Sequence, residues 1–156
     1  MREAHGALRP VCPACGFTHF RDPKVAVIAL VAAENRVLLI RRGVEPERGK
    51  WALPGGFMDA GEMPEEALAR ELAEETGLKV RIERFLGVFP MAPLGRSGGG
   101  IVLAYQASID GDEMPHMLCV QDDALEAGWF SPDDLPAALA FDSTFALLRA
   151  WRHGEL

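Results

Sequence analysis

The strongest hydrophobic pattern in the chain is a pair of apolar runs in its first third. Residues 25–32 and 36–40 are almost all apolar, and the polar pair Glu34-Asn35 lies between them. Apolar runs of this length, bounded by turn residues, are typical of buried β-strands. The pattern therefore predicts two strands, Val25–Ala32 and Arg36–Ile40, joined by a turn at Glu34-Asn35.

A helical period follows at residues 64–76. Small and apolar residues recur there at three- and four-residue spacing, which predicts one buried helix face. The stripe consists of Ala67, Leu68, Leu72 and Thr76. Pro64 suits the first helical position, and Gly77 suits the left-handed residue that ends a helix.

The remaining segments carry shorter signals. Residues 1–23 are irregular in pattern, because Pro and Gly interrupt them. The signals predict strands at 80–89, 100–109 and 118–121, a strand beginning in 126–132, a turn of helix in 133–141 and a helix at 143–151. An order of strands, helix, strands and helix favours an α+β sandwich over a doubly wound fold.

Composition limits the partner and the location. A chain of 156 residues predicts one domain with its own core. No apolar run approaches the roughly 20 residues of a membrane helix, and residues 1–16 lack the apolar core of a secretory signal, so we expect a cytoplasmic protein. The formal net charge of −7 argues against a polymeric nucleic-acid partner. It leaves open a small phosphate-bearing substrate, because bound cations invert the local field.

The predicted helix and the loop before it are unusually acidic. Between residues 56 and 78 there are seven acidic residues and a single basic one, Arg70. Glu71, Glu74 and Glu75 are spaced i, i+3 and i+4, which predicts one shared face opposite much of the apolar stripe. Converging carboxylates raise one another's pKa, and a hard cation such as Mg²⁺ or Mn²⁺ relieves this conflict with oxygen ligands.

Two further features fit a built site better than a solvated acidic surface, which is the usual meaning of such a run. Arg70 lies beside Glu71, and Glu62 lies where the chain enters the helix, so a forked Arg70–Glu62 pair is expected to hold the loop. Gly55-Gly56 allows the backbone to pass close to the helix, and a backbone carbonyl there is a candidate metal ligand.

The stretch 56–78 resembles the Nudix box, Gly-x5-Glu-x7-Arg-Glu-U-x-Glu-Glu-x-Gly-U, where U is a bulky aliphatic residue. Every fixed position is filled: Gly56, Glu62, Arg70, Glu71, Leu72, Glu74, Glu75, Gly77 and Leu78. Residues 49–56 and 129–141 also resemble Nudix proteins, so the similarity covers most of 24–150. It implies an α/β/α sandwich with a mixed β-sheet, and hydrolysis of a nucleoside diphosphate linked to another group. We therefore divide the chain into an N-terminal segment 1–23 and a Nudix hydrolase domain 24–156.

The resemblance also implies roles for individual residues. Glu71, Glu74 and Glu75 would hold Mg²⁺ or Mn²⁺ with the Gly56 carbonyl, and Arg70 and Glu62 would be their structural partners. The general base is either within the box or on a later loop, where the candidates are Asp122, Asp123 and Glu126. Glu126 lies three residues before Trp129, as a glutamate often does in this family, although a solvated residue is an equal interpretation. Independently of the resemblance, Arg41 and Arg42 end a predicted strand beside the expected cleft. One of them, Arg42 by preference, is a candidate phosphate contact, and a solvated pair is the more common outcome for adjacent arginines.

ADP-ribose or a related nucleotide sugar is the expected substrate. The proline array found after the box in NADH pyrophosphatase-like members is absent, whereas Pro93 lies about 15 residues beyond Leu78, as in ADP-ribose pyrophosphatases. The alternatives are a MutT-like nucleoside triphosphate pyrophosphatase and, in a different class, a nucleotide-sensing domain that does not hydrolyse its ligand. Many members are dimers, and on that basis we expect a homodimer.

The first segment resembles half of the zinc ribbon of the NADH pyrophosphatase-like members. Cys12 and Cys15 supply one Cys-x-x-Cys pair where a tetrahedral zinc site needs four ligands. His5 and His19 are candidates to complete the site, and the alternative is a relic knuckle packed as an N-terminal turn. Cys119 is predicted to be a small core residue.

Overall fold

The computed structural model describes residues 1–20, 22–91, 99–111, 118–121 and 123–156, so Pro93 and Asp122 lie outside the described residues. The strands are β1 Arg2–Ala4, β2 Ala7–Arg9, β3 Lys24–Ala33, β4 Arg36–Arg42, β5 Trp51–Ala52, β6 Gly55–Phe57, β7 Val80–Met91, β8 Gly100–Ile109 and β9 Ala124–Phe130. The helices are α1 Pro64–Thr76 and α2 Asp142–Arg152. Neither helix combines the length and apolar character needed to cross a bilayer.

A mixed sheet with β3 at its centre forms the middle layer. β3 pairs in parallel with β8 and antiparallel with β6, and β7 completes that side antiparallel to β8. β4 joins β3 at the hairpin and pairs antiparallel with both β5 and β9. Because β3 is covered on both faces, its sequence is a nearly continuous apolar run rather than an alternating one.

Each face of the sheet has its own hydrophobic cluster. On one face Val27, Ala29 and Val31 of β3 pack with Leu68 and Leu72 of α1. On the other face, Leu30 of β3 packs with the cluster that contains Leu147 and Leu148 of α2. Since neighbouring β3 residues point to opposite faces, the two helices lie on opposite sides of the sheet. The predicted α+β sandwich with a mixed sheet between helices is confirmed.

Local turn and cap chemistry sets the ends of the predicted elements. Glu34 and Asn35 both have positive φ angles, 48° and 57°, as a two-residue hairpin turn of the primed type requires. Gly77 ends α1 in the left-handed conformation, with φ 73°, and its N–H donates to the Ala73 carbonyl. At the other end, Met63 offers no side-chain cap, and the Glu66 carboxylate accepts the Met63 N–H at 3.1 Å.

The N-terminal segment is more regular than its sequence predicted. β1 and β2 form a hairpin in which Arg2 is opposite Arg9, and an isolated bridge joins Val11 to Thr18. The hairpin turns at His5-Gly6, where both residues have positive φ angles, 51° and 74°. A His-Gly pair between two three-residue strands is too short a signal for hydrophobic periodicity to detect.

Two other predictions were wrong because backbone hydrogen bonds to distant segments replaced local ones. Residues 118–121 form no strand, because the Cys119 N–H donates to the carbonyl of Thr76 at the end of α1 instead of to a neighbouring strand. Residues 133–141 form no helical turn. There, the Trp51 N–H donates to the Ala138 carbonyl, and the Ala140 N–H donates to the Trp51 carbonyl. Pairing with a distant strand replaced the local hydrogen bonds of a helix in this stretch.

Candidate active site

The Gly55-Gly56 pair lies where β6 is pressed between β3 and α1. Gly55 pairs with Ile28 and Gly56 with Val27 in the sheet. A Cβ added to Gly55 would lie 2.1 Å from the Val27 carbonyl oxygen, and one added to Gly56 would lie 2.4 Å from Cδ of Glu71. Both distances are far below van der Waals contact. The distance at Gly56 confirms the predicted close approach of the backbone to the helix, and the distance at Gly55 shows an equally close approach to β3.

Glu75 is the most enclosed of the three predicted metal ligands. Only 4% of the residue is exposed, and its Oε2 accepts the Gly55 N–H at 2.8 Å. Burial raises the pKa of Glu75 to about 8; the Gly55 hydrogen bond opposes this rise, while the charge of Glu71 adds to it. The expectation that Glu75 lies on a face opposite the apolar stripe was wrong, because Glu75 shares the buried side of α1 with Leu72 and Thr76.

Arg70 ties the entry loop to the helix through both edges of its guanidinium group. Its Nε and Nη2 donate to the two oxygens of Glu62 at 2.7 and 2.9 Å, which is the predicted fork. Nη1 donates to Glu71 at 2.9 Å and to Glu74 at 3.2 Å, and Nη2 also reaches the Phe57 carbonyl at 3.1 Å. One side chain therefore fixes the loop and orients two of the candidate metal ligands.

The Arg70–Glu62 fork predicts a stability that depends on pH. The Arg70 hydrogen bonds lower the pKa of Glu62 to about 2, from about 4.3 in an unfolded chain. The fork therefore stabilises the fold fully above about pH 4.3, and this contribution is lost as the pH falls toward about 2. We expect Glu62→Gln to lower the urea midpoint at pH 7, and the difference from wild type to shrink below about pH 4.

Urea unfolding in metal-free buffer at pH 7 and at pH 3 measures this difference directly. Glu155→Gln, which makes the same chemical change at an exposed residue near the C-terminus, is the control. A Glu62→Gln variant that is destabilised equally at both pH values would contradict a charge-dependent role for the fork.

The carboxylates fit a hard cation in their chemistry. Oxygen donors are the ligands that Mg²⁺ and Mn²⁺ prefer, and a buried carboxylate such as Glu75 is stabilised in its charged form by a nearby cation. The missing Cβ of Gly56 is what makes room for the Glu71 carboxylate. In the described ranges no three His, Cys, Asp or Glu side chains form a ready ligand cluster. Arg70 and the Gly55 N–H engage these carboxylates instead.

Arg42 and Asp123 lie beside this cluster, whereas Glu126 has another partner. The charges of Arg42 and Asp123 both act on the pKa of Glu75, in opposite directions. The carbonyl of Asp123 accepts the Gly43 N–H, which holds its backbone next to the end of β4. Glu126 lies opposite Arg41 on the neighbouring strand, with 3.5 Å between Oε2 and Arg41 Nη1. Whether Glu126 acts as the general base stays a prediction.

Within the part of the chain that the structure describes, Cys12 and Cys15 are not joined by the other ligands of a zinc site. Cys12 and Cys15 are free thiols in a turn closed by the Cys12 N–H and the Phe17 carbonyl, and backbone hydrogen bonds from Cys15 and Ala14 lower the pKa of Cys12. Among the residues that the structure describes, no His, Asp or Glu completes a metal-binding group with them. Cys119 is exposed, so its predicted place in the core was wrong.

Sequence reasoning missed three features of this region. It gave no partner for Glu75, it treated Asp123 only as one of several loop acids, and it left Phe141 unassigned. Phe141 has a φ angle of 63° and lies with its ring against Arg42, 4.9 Å from the guanidinium carbon to the ring centroid. These contacts join segments that are far apart in sequence, and no local pattern signals them.

Comparison with known proteins gives a consistent result. The family model of the NUDIX domain matches residues 21–149. An ADP-ribose pyrophosphatase of Methanocaldococcus jannaschii is 40% identical over 123 residues, which is 79% of this chain and 70% of that protein. An NAD-capped RNA hydrolase NudC of Mycobacterium bovis is 39% identical over 140 residues, which is 89% of this chain but only 42% of that protein. The crystal structure of a NUDIX hydrolase from Nitrosomonas europaea superposes with a TM-score of 0.83 at 29% identity, covering 97% of this chain and 84% of that one.

Proposed function

Because the chain belongs to the Nudix hydrolase family, we propose that it hydrolyses the diphosphate linkage of a nucleoside diphosphate joined to a second group, with ADP-ribose as the leading substrate. The observation that carries the proposal is the junction of β6 with α1. There the buried Glu75 carboxylate accepts a hydrogen bond from the Gly55 N–H, and Glu71 fills the space that a Cβ on Gly56 would occupy. Burial of a charged carboxylate costs desolvation free energy, and a bound cation would offset this cost.

In this proposal Glu71, Glu74 and Glu75, with the Gly56 carbonyl, hold Mg²⁺ or Mn²⁺. Bound there, the metal would neutralise the charge of the diphosphate and lower the pKa of the attacking water. Arg70 keeps Glu71 and Glu74 close to the loop through hydrogen bonds of 2.9 and 3.2 Å, so these carboxylates stay together before metal arrives. The Gly55 N–H holds Glu75 in place from the opposite side.

We assign Arg42 to the substrate and Glu126 to the proton. Arg42 is half-buried, and its Nε is anchored by the Pro46 carbonyl at 2.8 Å, so its charge is held near the cluster for a phosphate oxygen. Glu126 remains our candidate for the general base, and Asp123 is the alternative. The charge of Asp123 reaches Glu75, whereas Glu126 is paired with Arg41. A base must lie within hydrogen-bond reach of the water it deprotonates.

The choice of ADP-ribose rests on similarity. The Methanocaldococcus jannaschii relative at 40% identity is an ADP-ribose pyrophosphatase, and this chain spans 70% of it. The Mycobacterium bovis relative acts on NAD-capped RNA, but this chain spans 42% of that protein, so a dinucleotide is the second candidate. The homodimer, the cytoplasmic location and the division at residue 23 remain parts of the proposal, as does zinc at Cys12 and Cys15. A zinc site there would need ligands from outside the described residues.

A substrate panel tests the proposed function. The purified chain is incubated with Mg²⁺ or Mn²⁺ and with ADP-ribose, NADH, a diadenosine polyphosphate or a deoxynucleoside triphosphate, and products are separated by chromatography. We expect AMP and ribose 5-phosphate from ADP-ribose, with kcat/KM at least tenfold above that for the triphosphate. EDTA is expected to abolish turnover, because the carboxylates act through the metal. Preference for the triphosphate would support the MutT-like alternative, and tight binding without turnover would support the sensing alternative.

A further inference from the structure

Phe141, at the start of α2, has an unusual backbone for a large side chain. Its φ angle is 63° and its ψ angle is 137°. Bulky L-residues rarely adopt a positive φ angle, because the Cβ approaches the neighbouring carbonyl. The residue is nevertheless 40% exposed, so burial of its side chain offsets only part of this strain.

The strained backbone is held from both directions. The Ala140 N–H donates to the Trp51 carbonyl at 2.7 Å, which fixes the residue before Phe141 to β5. On the other side, the Phe141 carbonyl accepts the N–H of Thr144 at 3.1 Å in the first turn of α2. Strain that the surroundings maintain in this way is a reason to look for a function of the side chain.

Arg42 connects the Phe141 ring to the carboxylate cluster. Its guanidinium carbon lies 4.9 Å from the ring centroid, within the range of a cation–π contact. The same guanidinium charge acts on Glu75, and Glu75 and Asp123 are among the carboxylates that stabilise its charged form. Arg42 is therefore the neighbour that the candidate metal-binding carboxylates and the exposed Phe141 share, which gives the order carboxylates, positive charge, aromatic residue.

This order matches the order of groups in a nucleoside diphosphate. The diphosphate carries the charge, and a flat base lies one ribose away from it. The geometry points to Phe141 as the residue on which the base of the substrate stacks, with Arg42 bridging the base to the phosphates; this assignment rests on the proposed function. Stacking on an aromatic side chain tolerates different bases but requires a flat ring. Phe141 would thus select substrates that carry a nucleoside on the diphosphate.

The alternative for Phe141 is a purely structural role, in which the ring covers the aliphatic part of Arg42 and the start of α2. The two roles differ in one respect that can be measured. A stacking residue contributes to the binding affinity only of ligands that contain a base, whereas a structural residue affects the affinity of all ligands of the site alike. AMP and ribose 5-phosphate differ in the adenine alone, and both would be products of ADP-ribose hydrolysis.

The test measures dissociation constants of AMP and of ribose 5-phosphate, with Mg²⁺ present, by calorimetry. The proteins are wild type, Phe141→Leu and Phe141→Trp, and Phe145→Leu is the control because Phe145 is exposed one turn further along the same helix. We expect Phe141→Leu to raise the dissociation constant of AMP at least about fivefold and to leave that of ribose 5-phosphate unchanged. Phe141→Trp keeps a flat ring and should retain the affinity for AMP. Thermal unfolding of each variant verifies that it is folded.

An unchanged ratio of the two dissociation constants in Phe141→Leu would overturn the assignment, whether both affinities stay the same or both fall equally. ADP-ribose hydrolysis by the wild-type protein is assayed in the same experiment. Absence of that hydrolysis counts against the proposed function. An intact hydrolysis with an unchanged preference for AMP counts against the role of Phe141 alone.

Discussion

Glu75→Gln is expected to lower kcat for ADP-ribose at least about 100-fold, which corresponds to about 2.7 kcal/mol of activation free energy. The substitution keeps the size of the side chain and an oxygen that can accept the Gly55 N–H, now 2.8 Å from the carboxylate. It removes the negative charge that would hold the metal, and the loss of one metal ligand costs several kcal/mol of transition-state stabilisation. Steady-state kinetics at saturating Mg²⁺ measure the effect.

The fold of this variant is expected to remain intact. Glu75 is 4% exposed, and burial without a metal favours its neutral form, which glutamine imitates. In metal-free buffer at pH 7 we therefore expect Glu75→Gln to unfold at a temperature no lower than wild type. Added Mg²⁺ should raise the Tm of wild type, because a ligand that binds only the folded state stabilises it, and should raise that of the variant much less.

Glu66→Gln is the matched control for this substitution. Glu66 is on the same helix, and a glutamine there can still accept the Met63 N–H, so kcat should stay close to wild type. A Glu75→Gln enzyme that retains more than about a tenth of the wild-type kcat would contradict the assignment of Glu75 as a metal ligand. A large loss of kcat in Glu66→Gln would mean that any charge on α1 matters, and the argument for Glu75 would fail.

Hydrophobic periodicity was sufficient for the parts of the fold that are long and deeply buried. The runs that became β3 and β4 and the stripe of α1 were correctly predicted, because burial on a sheet or under a helix imposes its own period on the sequence. Residues 118–121 and 133–141 were predicted incorrectly. Their backbone hydrogen bonds go to Thr76 and to Trp51, which are distant in sequence, and tertiary contacts overrode the local preference.

In the candidate site too, contacts within one segment were predicted from the sequence, and contacts between distant segments were not. Motif spacing predicted the fork between Arg70 and Glu62 and the close approach at Gly56, since both connect residues of one continuous segment. It did not predict that Glu75 is buried, because this depends on how β6 lies against α1. Nor did it predict the contact of Arg42 with Phe141, which joins the end of β4 to the start of α2. A sequence pattern identifies candidate ligands more readily than the packing that positions them.

At the junction of β6 with β3, one added methyl group is expected to lower the free energy of unfolding strongly. Gly55 has a φ angle of 140°, and a Cβ there would lie 2.1 Å from the Val27 carbonyl oxygen and 2.8 Å from Cα of Ile28. Both are backbone atoms in the central strand, so relief requires β6 to move away from the sheet. We expect Gly55→Ala to cost about 4 kcal/mol of unfolding free energy, from backbone strain and overpacking together.

Gly87→Ala separates these two causes. Gly87 has a φ angle of 150°, close to that of Gly55, but no atom lies within 4 Å of the Cβ it would gain. Its alanine variant should therefore show the cost of strain alone, and urea unfolding should place Gly55→Ala at least about 1 kcal/mol below it. Equal losses in the two variants would mean that the contact with Val27 contributes nothing.

Where Gly55→Ala remains folded, its activity should fall further than its stability explains. Moving β6 away from β3 displaces the Gly55 N–H that holds the Glu75 carboxylate, and it shifts Gly56 against Glu71. A misplacement of about 1 Å at a reacting centre can reduce turnover about 100-fold. We therefore expect kcat to fall in Gly55→Ala at a temperature where the variant is fully folded, and to stay near wild type in Gly87→Ala. The same close approach would then account both for the stability of this junction and for the placement of the ligands on α1.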